Sequence, residues 1–143
     1  MDNPENGGVV LDTHVFVWLM TGDSALANSS ALSPVVKAAS ESKLLLSGIS
    51  LWELAKLEQL GRIKVSIPFS DWLDQAIQTP GLCVTGITPH IGVDASRLPE
   101  PFAGDPVDRI LAATARVRRA TLVTADPLLI QYGTTGNLTV LAV

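Results

Sequence analysis

Cys83 is the only cysteine in the 143-residue chain. That excludes an internal disulfide framework and any zinc site built on paired cysteines, and it fits a reducing, cytoplasmic setting. Charged residues are also scarce, at 17% against 47% hydrophobic. Such a composition excludes disorder and leaves apolar surface for a partner, with a homodimer among the expectations. No apolar run reaches membrane-spanning length. The opening MDNPENGG lacks a basic segment followed by an apolar one, so neither a secretory leader nor a membrane anchor is expected. GxGxxG and GxxxxGK(S/T) are both missing, which removes dinucleotide and P-loop readings. Net positive charge is missing too: the formal charge is −4, whereas a nucleic-acid binder usually shows a basic footprint. Acids gathered at one site and neutralised by divalent cations would reconcile that total with an anionic substrate.

What is present is an alternation of apolar runs and helical patterns. Residues 1–8 read as a flexible lead and 9–143 as one domain. VVL ends at Asp12 as a buried strand, and a short helix is expected from Thr13 through Leu19, followed by a loop at TGDS. Ser33 before Pro34 reads as the cap of a helix running to Ser40. LLLS to Ser47 is a second strand, and SLWELAKLEQL a helix closed by Gly61. FSDWLDQAIQ is an amphipathic helix, LCVTGI a strand, and Thr88 with Pro89 opens another helix. A proline-rich loop leads to Asp105, the expected cap of the helix VDRILAATARVRR. TLVTAD is a strand ending in an acid, Asp126 with Pro127 starts a short helix, and LTVLAV is a final strand. The pattern predicts an α/β fold, a mostly parallel sheet with helices on both faces.

In open parallel sheets ligands bind beyond the carboxyl ends of the strands, and this sequence places carboxylates there. Asp12 and Asp126 follow strands, Glu53 lies in the first turn expected after LLLS, and Asp105 and Asp108 begin a helix three residues apart, sharing a face. Like charges cluster at a cost unless cations compensate, and an oxygen-only donor set favours Mg²⁺ or Mn²⁺. Such a site suits metal-assisted phosphodiester hydrolysis. Each acid also has a structural use. Asp105 and Asp126 precede proline and make good helix caps, Ser50 and Glu53 have capping-box spacing, and Asp108 suits the positive end of a helix. Asp12 has the weakest structural reason to be where it is.

LDTHVFVWL, SLWELAKLEQLGRI, GDPVDRILAATAR and LVTADPLLIQYG occur in an order that resembles PIN-domain proteins. Specifically, they resemble the toxin branch of type II toxin-antitoxin systems, often called VapC. The resemblance covers nearly the whole chain. It implies a three-layer α/β/α sandwich and an endoribonuclease using Mg²⁺ or Mn²⁺. It also implies a catalytic, metal-binding set of Asp12, Glu53, Asp108 and Asp126, with Asp105 as a fifth member. A small cognate antitoxin and a homodimer are the partners it implies, with RNA as substrate. One departure is local: relatives often carry His or another polar residue ahead of the Asp-Pro pair, where this chain has Ala103 and Gly104.

Other residues are assigned bland roles. His14 and His90 lack a metal-spaced partner and read as structural or surface residues. Trp18, Trp52 and Trp72 read as core or interface anchors, and Cys83 as a small core residue. Arg116, Arg118 and Arg119 favour the negative end of their helix, with an RNA-phosphate role as the alternative. Thr13 and Thr124 flank strand-tip acids and suit orienting roles. A phosphotransferase of the haloacid-dehalogenase type needs a second Asp two positions after Asp12, where His14 stands. A response-regulator receiver needs a late lysine, and none follows Lys64. The rival of a different class is a catalytically silent PIN scaffold that binds protein or RNA. Neutralising the acids would leave such a module's binding intact.

Overall fold

Hydrophobic residues in three adjacent strands of the sheet alternate between two cores, and this alternation builds the molecule. In the computed structural model, which describes residues 6–143, β1 (Val9–Leu11) sends Val9 and Leu11 to one face and Val10 to the other. β2 (Leu44–Ser47) does the same with Leu44 and Leu46 against Leu45, and β4 (Thr121–Thr124) with Val123 against Leu122. A strand's period of two demands this, and apolar side chains on both faces demand cover on both. The first five residues of the expected lead lie outside the described residues. Gly7 N donates to Arg118 O at 2.8 Å, and Gly8 O accepts from Thr121 N at 3.0 Å.

β3 (Leu82–Thr85) and β5 (Val140–Ala142) complete a five-stranded sheet in the order β3-β2-β1-β4-β5, with every pairing parallel. One face is covered by α1 (Thr13–Thr21), α2 (Ser24–Ala27), α3 (Leu32–Ser40), α4 (Gly48–Gln59) and α5 (Phe69–Ala76). Phe16, Leu26, Val35 and Leu54 fill that core. The other face carries α6 (Pro89–Ser96), α7 (Pro106–Arg118) and α8 (Pro127–Gly133), whose core includes Ile91, Leu111, Leu129 and the alanines of α7. The α/β/α sandwich is therefore as expected, and the sheet is wholly parallel. The chain runs from β1 outward through β2 and β3, then crosses to β4 and β5 on the other side. The strand order therefore reverses between β1 and β4, the place where open sheets open a crevice at their carboxyl ends.

Several local expectations are corrected. TGDS is not only loop: Gly22 closes α1 at φ +67, and Asp23 caps α2 by accepting from Ala25 N at 2.8 Å. Ser33 does not cap α3. Ala31 occupies the cap position without a side-chain bond, and Ser33 lies inside the helix. The strand expected over LCVTGI stops at Thr85. Cys83, expected in the core, is exposed on β3, the edge strand of the sheet.

Candidate functional site

Three of the five acids singled out from sequence hold the amino ends of helices. Asp12 caps α1, its Oδ1 accepting from Thr13 N at 2.7 Å. Asp105 caps α7, its Oδ1 accepting from Asp108 N at 2.9 Å, and Asp126 caps α8, its Oδ1 accepting from Leu128 N at 2.8 Å. The structural reading of these acids is thus correct for all three, Asp12 included. It does not compete with a chemical one, since a cap bond uses one lone pair of a carboxylate and leaves the others as donors. The positive ends of three helices meanwhile offset part of the mutual repulsion.

Glu53 arrives differently. Ser47, not Ser50, caps α4 by accepting from Ile49 N at 3.3 Å, so the capping box expected from Ser50 and Glu53 does not form. The helix begins at Gly48, which puts Glu53 one turn further in than expected, half-buried on the helix surface. Ser50, which sequence reading gave no role beyond that cap, is fully buried and accepts from Thr13 Oγ1 at 3.0 Å. This bond ties α4 to α1 beside Asp12.

Asp12, Glu53, Asp105, Asp108 and Asp126 all line one cavity of about 280 Å³, with His14, Trp18 and Ala125 completing its wall. The structure thus brings every predicted acid to the switch point between β1 and β4. Asp12 is the deepest, 7% exposed. Its Oδ2 accepts from Thr124 Oγ1 at 2.6 Å, and the same hydroxyl accepts from Asp126 N at 2.9 Å. Thr124 therefore sets the two strand-end acids relative to each other.

Burial pushes the Asp12 carboxyl up, with Asp126 adding to the effect; the Thr124 hydroxyl, the Thr13 amide and His14 oppose it. Asp108 is pushed up to about 7, first by burial and then by Asp105, Asp126 and Asp12, with a backbone hydrogen bond at Asp105 opposing. These carboxylates are held where their own charges are unfavourable, a condition that a cation relieves. Among the described residues, no three His, Cys, Asp or Glu side chains form a closed cage for one ion. Mg²⁺ does not require one: it keeps several waters and is held by one or two carboxylates together with substrate phosphate. The carboxylates, hard oxygen donors around an open bowl, fit a hard divalent cation.

The loop that delivers Asp105 is pinned from three sides. Arg109 Nε donates to Ala95 O at 2.9 Å and its Nη1 to Phe102 O at 3.0 Å. Tyr132 OH donates to Pro99 O at 2.5 Å, and the Phe102 and Tyr132 rings lie 5.0 Å apart. Gly104 has room for no side chain, because a Cβ there would overlap the Phe102 ring and stand 3.0 Å from Asp108 Cβ. Sequence reading missed Arg109; its signal was a cation in the first turns of an alanine-rich helix, away from the arginines at its end. Arg116, allowed an RNA-phosphate role, is engaged instead with Asp94 at 2.9 and 3.3 Å and with Asn137 O at 2.5 Å. Trp52, expected to be core or an interface anchor, is 54% exposed.

A crevice of helix-capping carboxylates at the switch point of a parallel three-layer sandwich defines the class, and comparison with known proteins agrees. Residues 9–133 match the PIN domain family, and the chain belongs to it. It is 39% identical over 118 residues to Ribonuclease VapC22 of Mycobacterium tuberculosis (strain ATCC 25618 / H37Rv), a match covering 82% of this chain and 86% of that protein. Two solved structures share the fold. VapBC2 from Rickettsia felis, bound to a DNA fragment from its promoter, superposes with a TM-score of 0.67 at 19% identity, covering 94% of this chain and 97% of that one. DNA-bound VapBC from Salmonella typhimurium gives 0.64 at 16% identity, with the same coverage of both chains.

Proposed function

We propose that this chain is the endoribonuclease toxin of a toxin-antitoxin pair, cutting RNA with Mg²⁺ or Mn²⁺ and restrained by a small cognate antitoxin. Family membership and the likeness to a ribonuclease support the activity. The observation that carries the chemistry is the gathering of all five acids around one cavity with the Asp108 carboxyl driven to about 7. Asp12, Glu53, Asp108 and Asp126 hold the cation, with Asp105 as a further ligand or outer partner. A bound divalent ion activates water and stabilises the phosphoryl oxygens in such hydrolysis.

The chain's own residues do the positioning. Thr124 fixes the Asp12 carboxylate and the Asp126 backbone together. Ser50 and Thr13 hold α4, and with it Glu53, against α1. Arg109 and Tyr132 hold the loop before Asp105. An RNA strand approaching such an acidic wall is repelled until cations are in place, so metal loading and substrate binding are coupled. No helix among the described residues is long and apolar enough to cross a membrane. A cytoplasmic homodimer is the working form we propose.

Labelled RNA incubated with the purified protein tests the activity. Internal cleavage with Mg²⁺ or Mn²⁺ and none in EDTA is the expected result; cleavage indifferent to EDTA contradicts it.

A further inference from the structure

Next to the acidic crevice, α4 and the start of α7 enclose a second cavity of about 310 Å³, at the small end of ligand pockets, roughly 300–1,000 Å³. The two cavities share Glu53 and Asp105 as a common wall. The lining of the second is apolar at Leu57, Leu60, Pro106 and Val107, with Trp52 and Lys56 beside them. Trp52 is 54% and Leu60 65% exposed, and they share one lining with Leu57 and Val107, a contiguous apolar surface of the kind that marks a binding site. Lys56, one turn after Trp52, holds its Nζ over the indole face, 4.6 Å from the centroid, so a base stacking on that face displaces the ammonium toward its phosphate.

We infer that this groove is a nucleobase subsite for the RNA strand, with Trp52 as the stacking platform and Lys56 as the phosphate contact beside it. The inference rests on the nuclease reading above and names how that site takes hold of its substrate. An indole face accepts any base by stacking, and an adjacent cation is drawn to the phosphate that follows the base. The shared wall decides the occupant. A base lying on Trp52 places its own phosphodiester beside Glu53 and Asp105, at the mouth of the carboxylate crevice. An apolar protein segment in the same groove would instead strip water from Lys56, Glu53 and Asp105 without pairing them all. The subsite also sets the Lys56 cation beside two of the acids of a −4 chain, which suits an anionic polymer.

The test measures binding of short labelled single-stranded RNA of random sequence by fluorescence anisotropy, with Mg²⁺ present and cleavage disabled by Asp12→Asn. Adding Trp52→Leu should weaken binding by about tenfold, the effect of one lost stack, while Trp52→Phe keeps most of the affinity. Lys56→Ala should weaken binding and lower the salt slope by about one. In cleavage-competent protein, Trp52→Leu should also change which bases flank the cut. Unchanged affinity and an unchanged cleavage pattern in Trp52→Leu overturn the subsite alone. So does a Trp52→Leu protein whose only change is loss of self-association, which would assign the groove to a second copy. Wild-type protein that neither binds nor cuts RNA overturns the nuclease reading and the subsite with it.

Discussion

The Thr124 hydroxyl donates to Asp12 Oδ2 at 2.6 Å, joining residues 112 positions apart at the ends of two adjacent parallel strands. Both groups are buried, and the hydroxyl oxygen also accepts from the Asp126 amide. Thr124→Val keeps the shape but removes this link. Outer partners of metal ligands of this kind are worth about 10–100-fold in metal affinity or activity, and a loss of that size is expected. Thr124→Ser should recover most of it. Calorimetric titration with Mn²⁺ and cleavage assays on the same preparations check both.

Asp108 makes stability depend on pH in a defined direction. Its carboxyl is raised from 3.8 to about 7 in the folded protein. The folded state therefore binds a proton that the unfolded state has released across that interval. The resulting stabilisation is complete below the unfolded value and lost as pH rises through about 7. Asp108→Asn removes this contribution and leaves that of Asp12, whose carboxyl is raised as well. At pH 8 without divalent ions, the variant should exceed wild type by about 1–2 kcal/mol, less than the full shift implies because water reaches the group; near pH 4 the advantage disappears. Urea unfolding at the two pH values measures it. Adding Mg²⁺ at pH 8 should stabilise wild type more than the variant.

The strand ends were legible because the physics that places them is local. VVL, LLLS and TLVT are short apolar runs that only a sheet covered on both faces can accommodate, and Asp-Pro pairs mark helix starts at Asp105 and Asp126. What sequence could not supply was topology. LCV reads as core, yet Cys83 is exposed because β3 happens to be the outermost strand. Ser50 and Glu53 have capping-box spacing, but Ser47 starts the helix earlier and Ser50 turns inward to Thr13. Trp52 follows the apolar spacing of α4, yet no element packs over it. The cap at Ser47 is a local competitor, whereas the exposure of Cys83 and Trp52 and the turn of Ser50 toward Thr13 depend on residues distant in sequence.

Arg109 is expected to hold the Asp105 loop through its fork rather than its charge alone. Arg109→Met leaves the Ala95 and Phe102 carbonyls without these donors. It should cost about 1.5–3 kcal/mol, the range for hydrogen bonds involving a charged group. Arg109→Lys should not rescue it, because one ammonium cannot reproduce the planar fork. Denaturant unfolding gives the energies, and amide exchange over residues 97–105 should accelerate in both variants.

Gly104→Ala is a small change with a large expected effect. The new methyl would overlap the Phe102 ring and press on Asp108 Cβ. Overpacking of this kind costs about 1–3 kcal/mol. It should displace Phe102 from Tyr132 and lower cleavage along with stability. Restoring space through Phe102→Leu in the same chain should recover part of the stability, which thermal unfolding of the single and double variants would reveal.

Asp12, Glu53, Asp108 and Asp126, with Asp105 beside them, are proposed to hold a divalent ion at one switch point for RNA hydrolysis. Cleavage of labelled RNA by wild type, Asp12→Asn and Asp108→Asn across a Mg²⁺ and Mn²⁺ titration tests it most directly. The account predicts metal-dependent cleavage by wild type, reduced by about 100-fold or more in each folded variant, as removal of a group acting on transition-state charge does. Cleavage undiminished in both variants would contradict it.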